Sequence, residues 1–371
     1  MKKVLFVATV VKLHIMVFHI PYLEWFKKNG YEVHVAARND YDNKDECIIP
    51  FCDRFHDLPF ERSPIRKNNL QVYKDLKNII DTEQYEIIHC HTPMGGAIGR
   101  LAARSTREKG TKVIYTAHGF HFFKGAPLVN WLAYYTAERW LSRYTDVLIT
   151  INKEDYESAK KFKADRIEYV PGVGIDTDKF KNNEVNKIEK RKSIGVSEDD
   201  FMIISVGELN KNKNHQVIMR AIARLKNQKI KYVLCGQGPL QTELRELAKE
   251  LDIEKQVKFL GFRKDIPELM NIADLFAFPS FREGLSLSLM EAMASGLPVV
   301  CSDIRGNIDL VEEGKGGYLV EFTDIDEIAK CISRLMSDSG LRNECGRFNV
   351  NRIKNYSINN VLSKMQEIYL N

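Results

Sequence analysis

The sequence predicts an α/β protein built from two doubly wound, Rossmann-like domains. Three observations predict it. At 371 residues the chain is too long for one typical domain and suits two. In each half, short apolar runs alternate with stretches of helical periodicity, the pattern of a parallel sheet with crossover helices. Between the halves, Val170-Pro171-Gly172-Val173-Gly174 is turn chemistry, and a charged polar run to about Asp200 follows it. The first domain is expected over residues 1–172 and the second over 173–355.

In the first half, residues 4–9 read VLFVAT, a continuous apolar strand of the kind buried on both faces of a parallel sheet. A helix is expected over 15–29, stopped by Gly30, then a strand over 32–37. Further helices are expected over 67–81, 96–109, 127–143 and 153–162. Strands are expected over 86–89, 112–117, 146–151 and 166–170. In such domains ligands bind at the carboxyl ends of the strands. His14, His91 and His118 all lie there. His14 follows the first strand in Val10-Val11-Lys12-Leu13-His14. Lys12 and His14 are either anion contacts or solvated loop residues. His89-Cys90-His91-Thr92-Pro93-Met94-Gly95-Gly96 carries glycines that open a helix, whose free N–H groups suit an anion. Alternation along a strand half-buries His89, so this motif is read without a metal and His91 as lining a cleft. His118 ends the fourth strand in Thr116-Ala117-His118-Gly119-Phe120-His121, and His121 extends the loop. Residues 127–144 hold Trp131, Tyr134, Tyr135, Trp140 and Tyr144 beside Arg139 and Arg143. Either this helix packs on the sheet, as expected for Trp140, or it touches a membrane interface.

Charge is uneven. Residues 1–187 hold 29 Lys and Arg against 24 Asp and Glu, and the remaining 26 of each sign cancel. Eight of the nine His also precede residue 188. The first half is therefore expected to meet something anionic, a membrane surface or a diphosphate. No dense Lys/Arg run or nucleic-acid motif is present. The seven Cys are scattered without a CxxC pair, which argues for a reducing compartment and against structural zinc. The apolar run after Met1 is too short for a signal peptide, and no stretch is long enough to span a bilayer.

In the second half, strands are expected over 201–206, 231–235, 258–260, 273–278, 299–301 and 314–320. Helices are expected over 216–225, 265–270, 286–295 and 325–337. The focus is Pro279–Gly296, PSFREGLSLSLMEAMASG. Glu283 falls on a strand-to-helix loop and Glu291 on the helix that starts there. The first N–H groups of that helix carry partial positive charge and suit a phosphate. A carboxylate on each side suits the hydroxyls of a sugar and a ribose, and a phosphate between two polyols describes a nucleotide-sugar. The alternative is one exposed loop Glu and one helix-surface Glu. Asp176-Thr177-Asp178 spells a D-x-D metal motif but lies in turn chemistry, where a metal is not expected.

The E-x7-E spacing of Glu283 and Glu291 in this setting resembles the retaining glycosyltransferases of family 4, which have the GT-B fold. The resemblance covers essentially the whole chain. It implies that Glu283 contacts the donor sugar, that Glu291 binds the ribose, and that Gly284, Leu285 and Ser286 present backbone amides to the diphosphate. Lys213, in Gly207-Glu208-Leu209-Asn210-Lys211-Asn212-Lys213, matches the family's phosphate-clamping Lys. Glu208 stands where the family has Arg, so one positive clamp is missing, with Lys211 nearby. Gly236 would give room beside the nucleotide, and Phe262-Arg263 matches the position that meets the nucleobase. His118 would hydrogen-bond the donor sugar. His14, His91, Gly95 and His121 would serve the acceptor, although this chain lacks the family's Gly-Gly pair before His14. The final helix, about 356–371, would cross back onto the first domain.

The implied activity is a metal-independent, retaining transfer with no cofactor. His118, Glu283 and Lys213 would carry it. HTPMGG, TAHGFHFF and VGELNKNKNH are similar to bacterial capsule and exopolysaccharide transferases. That implies a UDP-sugar donor of the N-acetylhexosamine or galactose type and a polyprenyl-diphosphate-linked saccharide acceptor. The expected location is the cytoplasm, with peripheral contact at the inner membrane face. Two alternatives remain open: a UDP-sugar epimerase of the same fold, and a non-catalytic partner subunit that binds the sugar nucleotide.

Overall fold

The computed structural model describes residues 1–64, 66–181 and 185–371. The chain divides into two compact units, Met1–Gly174 with Ile358–Asn371, and Ile175–Ser357. Each is a parallel α/β unit.

The first unit has a seven-stranded sheet of β1 (Lys3–Val10), β2 (Glu32–Arg38), β3 (Arg54–Asp57), β4 (Ile87–His91), β5 (Lys112–Ala117), β6 (Val147–Thr150) and β7 (Arg166–Tyr169). The order is β3-β2-β1-β4-β5-β6-β7 and every pairing is parallel. Val4 through Ala8 of β1 have no exposed surface. Their alternation feeds two cores. Val4, Phe6 and Ala8 pack with Phe26 and Tyr369 on one face, and Leu5 and Val7 with Leu76 and Ile98 on the other. The order reverses between β1 and β4, so the segments after these strands meet at the topological switch point. The helix Ile358–Leu370 is part of this unit. Tyr369 packs its ring on Trp25 and Phe26, and its hydroxyl lies 2.9 Å from His89 Nδ1.

The second unit has a six-stranded sheet of β8 (Phe201–Val206), β9 (Ile230–Cys235), β10 (Val257–Gly261), β11 (Leu275–Phe278), β12 (Val299–Ser302) and β13 (Gly317–Val320). The order is β10-β9-β8-β11-β12-β13, again all parallel. Its switch point lies between β8 and β11, whose following loops carry Lys213 and Glu283. Arg191, on the helix Lys187–Ser193, is 2% exposed and donates to the carbonyls of Glu198, Asp200 and Ile272 and to the Asp274 carboxylate.

Several elements differ from expectation. β3 reads RFHD, too polar for an apolar-run criterion, and it is a partly exposed edge strand. The helix Lys187–Ser193 falls in the stretch read as a charged polar run, and the helix Ser339–Ile353 lies where no element was expected. The helix expected at 96–109 begins at Pro93, because Thr92 caps it, and runs to Ala102. The stretch after β1 is not a loop: Val11–Ile15 forms a π-helical turn. Asp176 accepts from the backbone N–H groups of Asp178 and Lys179, so D-x-D here is turn chemistry.

Trp140 is a correction. It is 45% exposed against Tyr144, whereas Trp131 and Tyr135 pack on Phe122. Among the described residues, no helix is long and apolar enough to cross a membrane.

Candidate functional site

In the C-terminal unit, Asn210 accepts from the Lys213 backbone N–H and closes the short turn Lys211–Lys213. The turn aims Lys213 at the loop after β11. Lys213 Nζ lies 2.8 Å from Glu283 Oε1 and 4.6 Å from the centre of the Phe278 ring. The two loops are stapled by Phe281 N–H to the Asn212 carbonyl and Asn212 Nδ2 to the Arg282 carbonyl, at 2.8 and 2.9 Å. Ser286 caps the helix Leu287–Ala294 by accepting from Leu289 N–H. Gly284 and Leu285 lie immediately ahead of this helix start. Gly306 has φ +81°, and a side chain there would meet the Gly284 carbonyl at 2.2 Å. Only glycine lets these loops touch. Arg305, 6% exposed, donates through Nε to the Glu283 carbonyl at 3.1 Å. Glu291 sits on the same helix, where burial pushes its carboxyl up to about 7 against the opposing pull of Lys179.

In the N-terminal unit, His14 and His19 come from the segment after β1, His91 ends β4, and His118 directly follows β5. His14, His19 and His91 are 8%, 1% and 1% exposed. Burial lowers all four imidazoles, His118 to about 4, and among the first three the neighbouring histidines add to it. One ring nitrogen from each lies within 4.8 Å of those of the other three. Beside them is a mainly apolar cavity of about 630 Å³, lined among others by Leu13, Met94, Ala133, Tyr134 and Leu141, with Arg62, His121 and Glu138 among its polar members. The His121 ring packs 4.8 Å from that of Tyr134.

Residues 186–352 match the family model for glycosyl transferases group 1, and residues 3–152 match that for glycosyl transferase 4-like proteins. The putative glycosyltransferase EpsD of Bacillus subtilis is 41% identical over 99% of this chain and 96% of its own. The chain belongs to the family 4-like glycosyltransferases. A galactosyltransferase of Escherichia coli, named for UDP-Gal and GlcNAc-diphosphoundecaprenol, is 31% identical over 83% of this chain and 82% of its own. Among solved structures, Anabaena HepE in complex with UDP superposes with a TM-score of 0.80 at 20% identity, covering 99% of each chain. That likeness shows the GT-B fold.

The residues expected to serve the donor in this glycosyltransferase fall into two groups. Lys213, Glu283, Gly284, Leu285, Ser286 and Glu291 lie on the loops and helix just described. The remainder are placed differently. Glu208 is exposed and accepts from Asn210 Nδ2. Gly207 and Gly236 let two loops abut: a side chain on Gly236 would meet the Gly207 carbonyl at 1.8 Å. Arg263 is committed to Asp265 through two hydrogen bonds, while the adjacent Phe262 is 72% exposed.

On the expected acceptor side, His91 is buried rather than lining a cleft, and His89 is fully buried between Tyr369 and Thr116. The Gly95 N–H is taken by Thr92 Oγ1, and its missing side chain lets the helix approach Ala8 of β1. Gly95 therefore serves packing. His14 and His121 do line the apolar cavity. The sequence reading missed His19, whose signal was its spacing of five from His14, and it placed Arg305 only in a loop after the strand at 299–301, without a role.

Glu291 sets a pH dependence. Its folded pKa lies above its ordinary 4.5, so the folded chain holds a proton that the unfolded chain releases between pH 4.5 and about 7. Stability from this group is present below that window and lost as pH rises through it. Glu291→Gln is expected to stabilise the ligand-free enzyme at pH 8 by on the order of 2–3 kcal/mol and to be near neutral at pH 4. Paired denaturation curves at the two pH values check this.

Proposed function

We propose that this glycosyltransferase moves a sugar from a UDP-sugar, of N-acetylhexosamine or galactose type, to a polyprenyl-diphosphate-linked saccharide in bacterial capsule or exopolysaccharide assembly. The transfer retains anomeric configuration and draws on no bound metal. One observation carries the donor assignment: a partly buried cation, Lys213, beside Glu283 at the start of a Ser-capped helix that also bears Glu291. The chemical problem is charge on the departing diphosphate while the sugar becomes cationic. Lys213 and the N–H groups at Gly284–Ser286 meet the diphosphate charge. Glu283 and His118 orient the sugar, and Glu291 accepts the ribose hydroxyls. Leaving-group phosphate takes the acceptor proton.

The E. coli relative's name supports the donor and acceptor class. The apolar cavity with Arg62 and His121 suits an amphiphilic acceptor. Leu128, Val129 and Leu132 are 81%, 65% and 75% exposed near Arg139 and Arg143, which supports peripheral contact with the inner membrane face.

The test is transfer from a panel of radiolabelled UDP-sugars to short polyprenyl-diphosphate-linked saccharides, with EDTA present. The expected result is a labelled lipid product with one donor, at an EDTA-independent rate. An acceptor-independent epimerised UDP-sugar, or no turnover with any donor, would reject the reading.

A further inference from the structure

His14, His19, His91 and His118 meet at the switch point of the N-terminal unit, and the transfer reading gives them no joint role. We propose that they form a binding site for one transition-metal ion, with Zn2+ as the best-fitting case. The site uses one ring nitrogen of His118, which leaves the other for the sugar contact proposed above, and it stands whether or not the chain transfers a sugar.

The geometry is close to that of a metal site. Four ligands at the usual Zn–N distance of about 2.0–2.1 Å have nitrogens about 3.3 Å apart. Here one nitrogen from each ring already lies within 4.8 Å of the others. Ring centres are 3.8 to 5.9 Å apart, so small side-chain rotations close the remaining gap. The scaffold is firm where it matters. His91 pairs in register with Thr116, two residues before His118, and His14 lies in the π-helical turn with His19 at the junction of the two helices that follow it.

Aromatic packing accounts for the rings but not for their nitrogens. Phe6 stacks on His91 and Phe18 lies against His118, and phenylalanines in place of histidines would pack as well. Yet His14 Nε2, both nitrogens of His19 and His91 Nε2 are buried with no hydrogen-bond partner among the described residues. Buried polar atoms are rarely left unpaired without a ligand or a function. Neutral imidazoles suit Zn2+, Co2+, Ni2+ or Cu2+. Mg2+ and Ca2+ favour oxygen ligands, and the four-residue cluster supplies no carboxylate.

The experiment uses the full chain without an affinity tag, stripped with EDTA and dialysed free of it. Calorimetric titration with Zn2+ is expected to show one equivalent bound, with a raised melting temperature. Co2+ is expected to give the visible absorption of a tetrahedral site. His19→Gln is expected to abolish stoichiometric binding, whereas His56→Gln, outside the cluster, retains it. If His19→Gln does not fold, His14→Gln carries the comparison. Failure of the native chain to bind one equivalent, or native-like binding by the folded cluster variant, would overturn the proposal.

Discussion

Lys213→Ala is expected to lower kcat/KM for sugar transfer by about 10²–10³-fold, the usual effect of removing one preorganised group that meets transition-state charge. Lys213 is held 2.8 Å from Glu283, and the two side chains are 17% and 14% exposed. A diphosphate arriving at the helix start offers this cation a second anionic partner. Truncating Lys213 removes the cation that both anions would share and leaves Glu283, 14% exposed, without its counter-ion. Glu283→Gln acts in the opposite sense on binding. It frees Lys213 from its carboxylate, so UDP affinity is expected to hold or rise while transfer falls by a similar factor. Steady-state rates and UDP calorimetry on both variants check the pair of outcomes. Equal loss of affinity and rate in Glu283→Gln would show that this carboxylate serves binding alone.

Arg191→Ala is expected to destabilise the C-terminal unit by about 3–5 kcal/mol, the range found when one member of a buried ion pair is removed. Its guanidinium reaches three backbone carbonyls and Asp274 within 2.7–3.0 Å, and Asp274 also accepts from Met202 N–H in β8. One side chain thus ties the helix Lys187–Ser193 to the segments that enter β8 and β11. Truncation takes this donor from the three carbonyls and leaves Asp274 with only Met202 N–H and the more distant Lys187. Arg191→Lys is expected to recover little, because a point ammonium cannot span a planar five-donor set. Urea denaturation followed by far-UV circular dichroism measures the loss. The three tryptophans, Trp25, Trp131 and Trp140, all lie in the N-terminal unit, so their fluorescence would miss it. An unchanged midpoint would contradict this account of Arg191.

The parallel sheets were legible because strands buried on both faces write themselves as apolar runs. Phe201–Val206 and Lys112–Ala117 have the boundaries expected of them. Glu283 and Glu291 were legible because a loop, a serine and an apolar helix follow a short strand within one stretch of chain. Edge strand β3 was not, since a partly exposed strand has no need of apolar residues. Nor was the histidine quartet. Its members lie on three segments brought together only by the β1–β4–β5 order, and the sequence shows His91 and His118 as separate strand ends. The sequence places Arg305 only in a loop, and Arg191 only in a charged polar run. Arg191 donates chiefly to backbone carbonyls and Arg305 to that of Glu283, and composition carries no trace of a carbonyl's position.

The most direct test of the donor-site assignment is titration calorimetry of UDP into the native chain and into Lys213→Ala, in EDTA. The account predicts one site in the native chain, independent of EDTA, and binding weakened at least tenfold in the variant. Equal affinities in the two proteins, or no binding of UDP to the native chain, would contradict it.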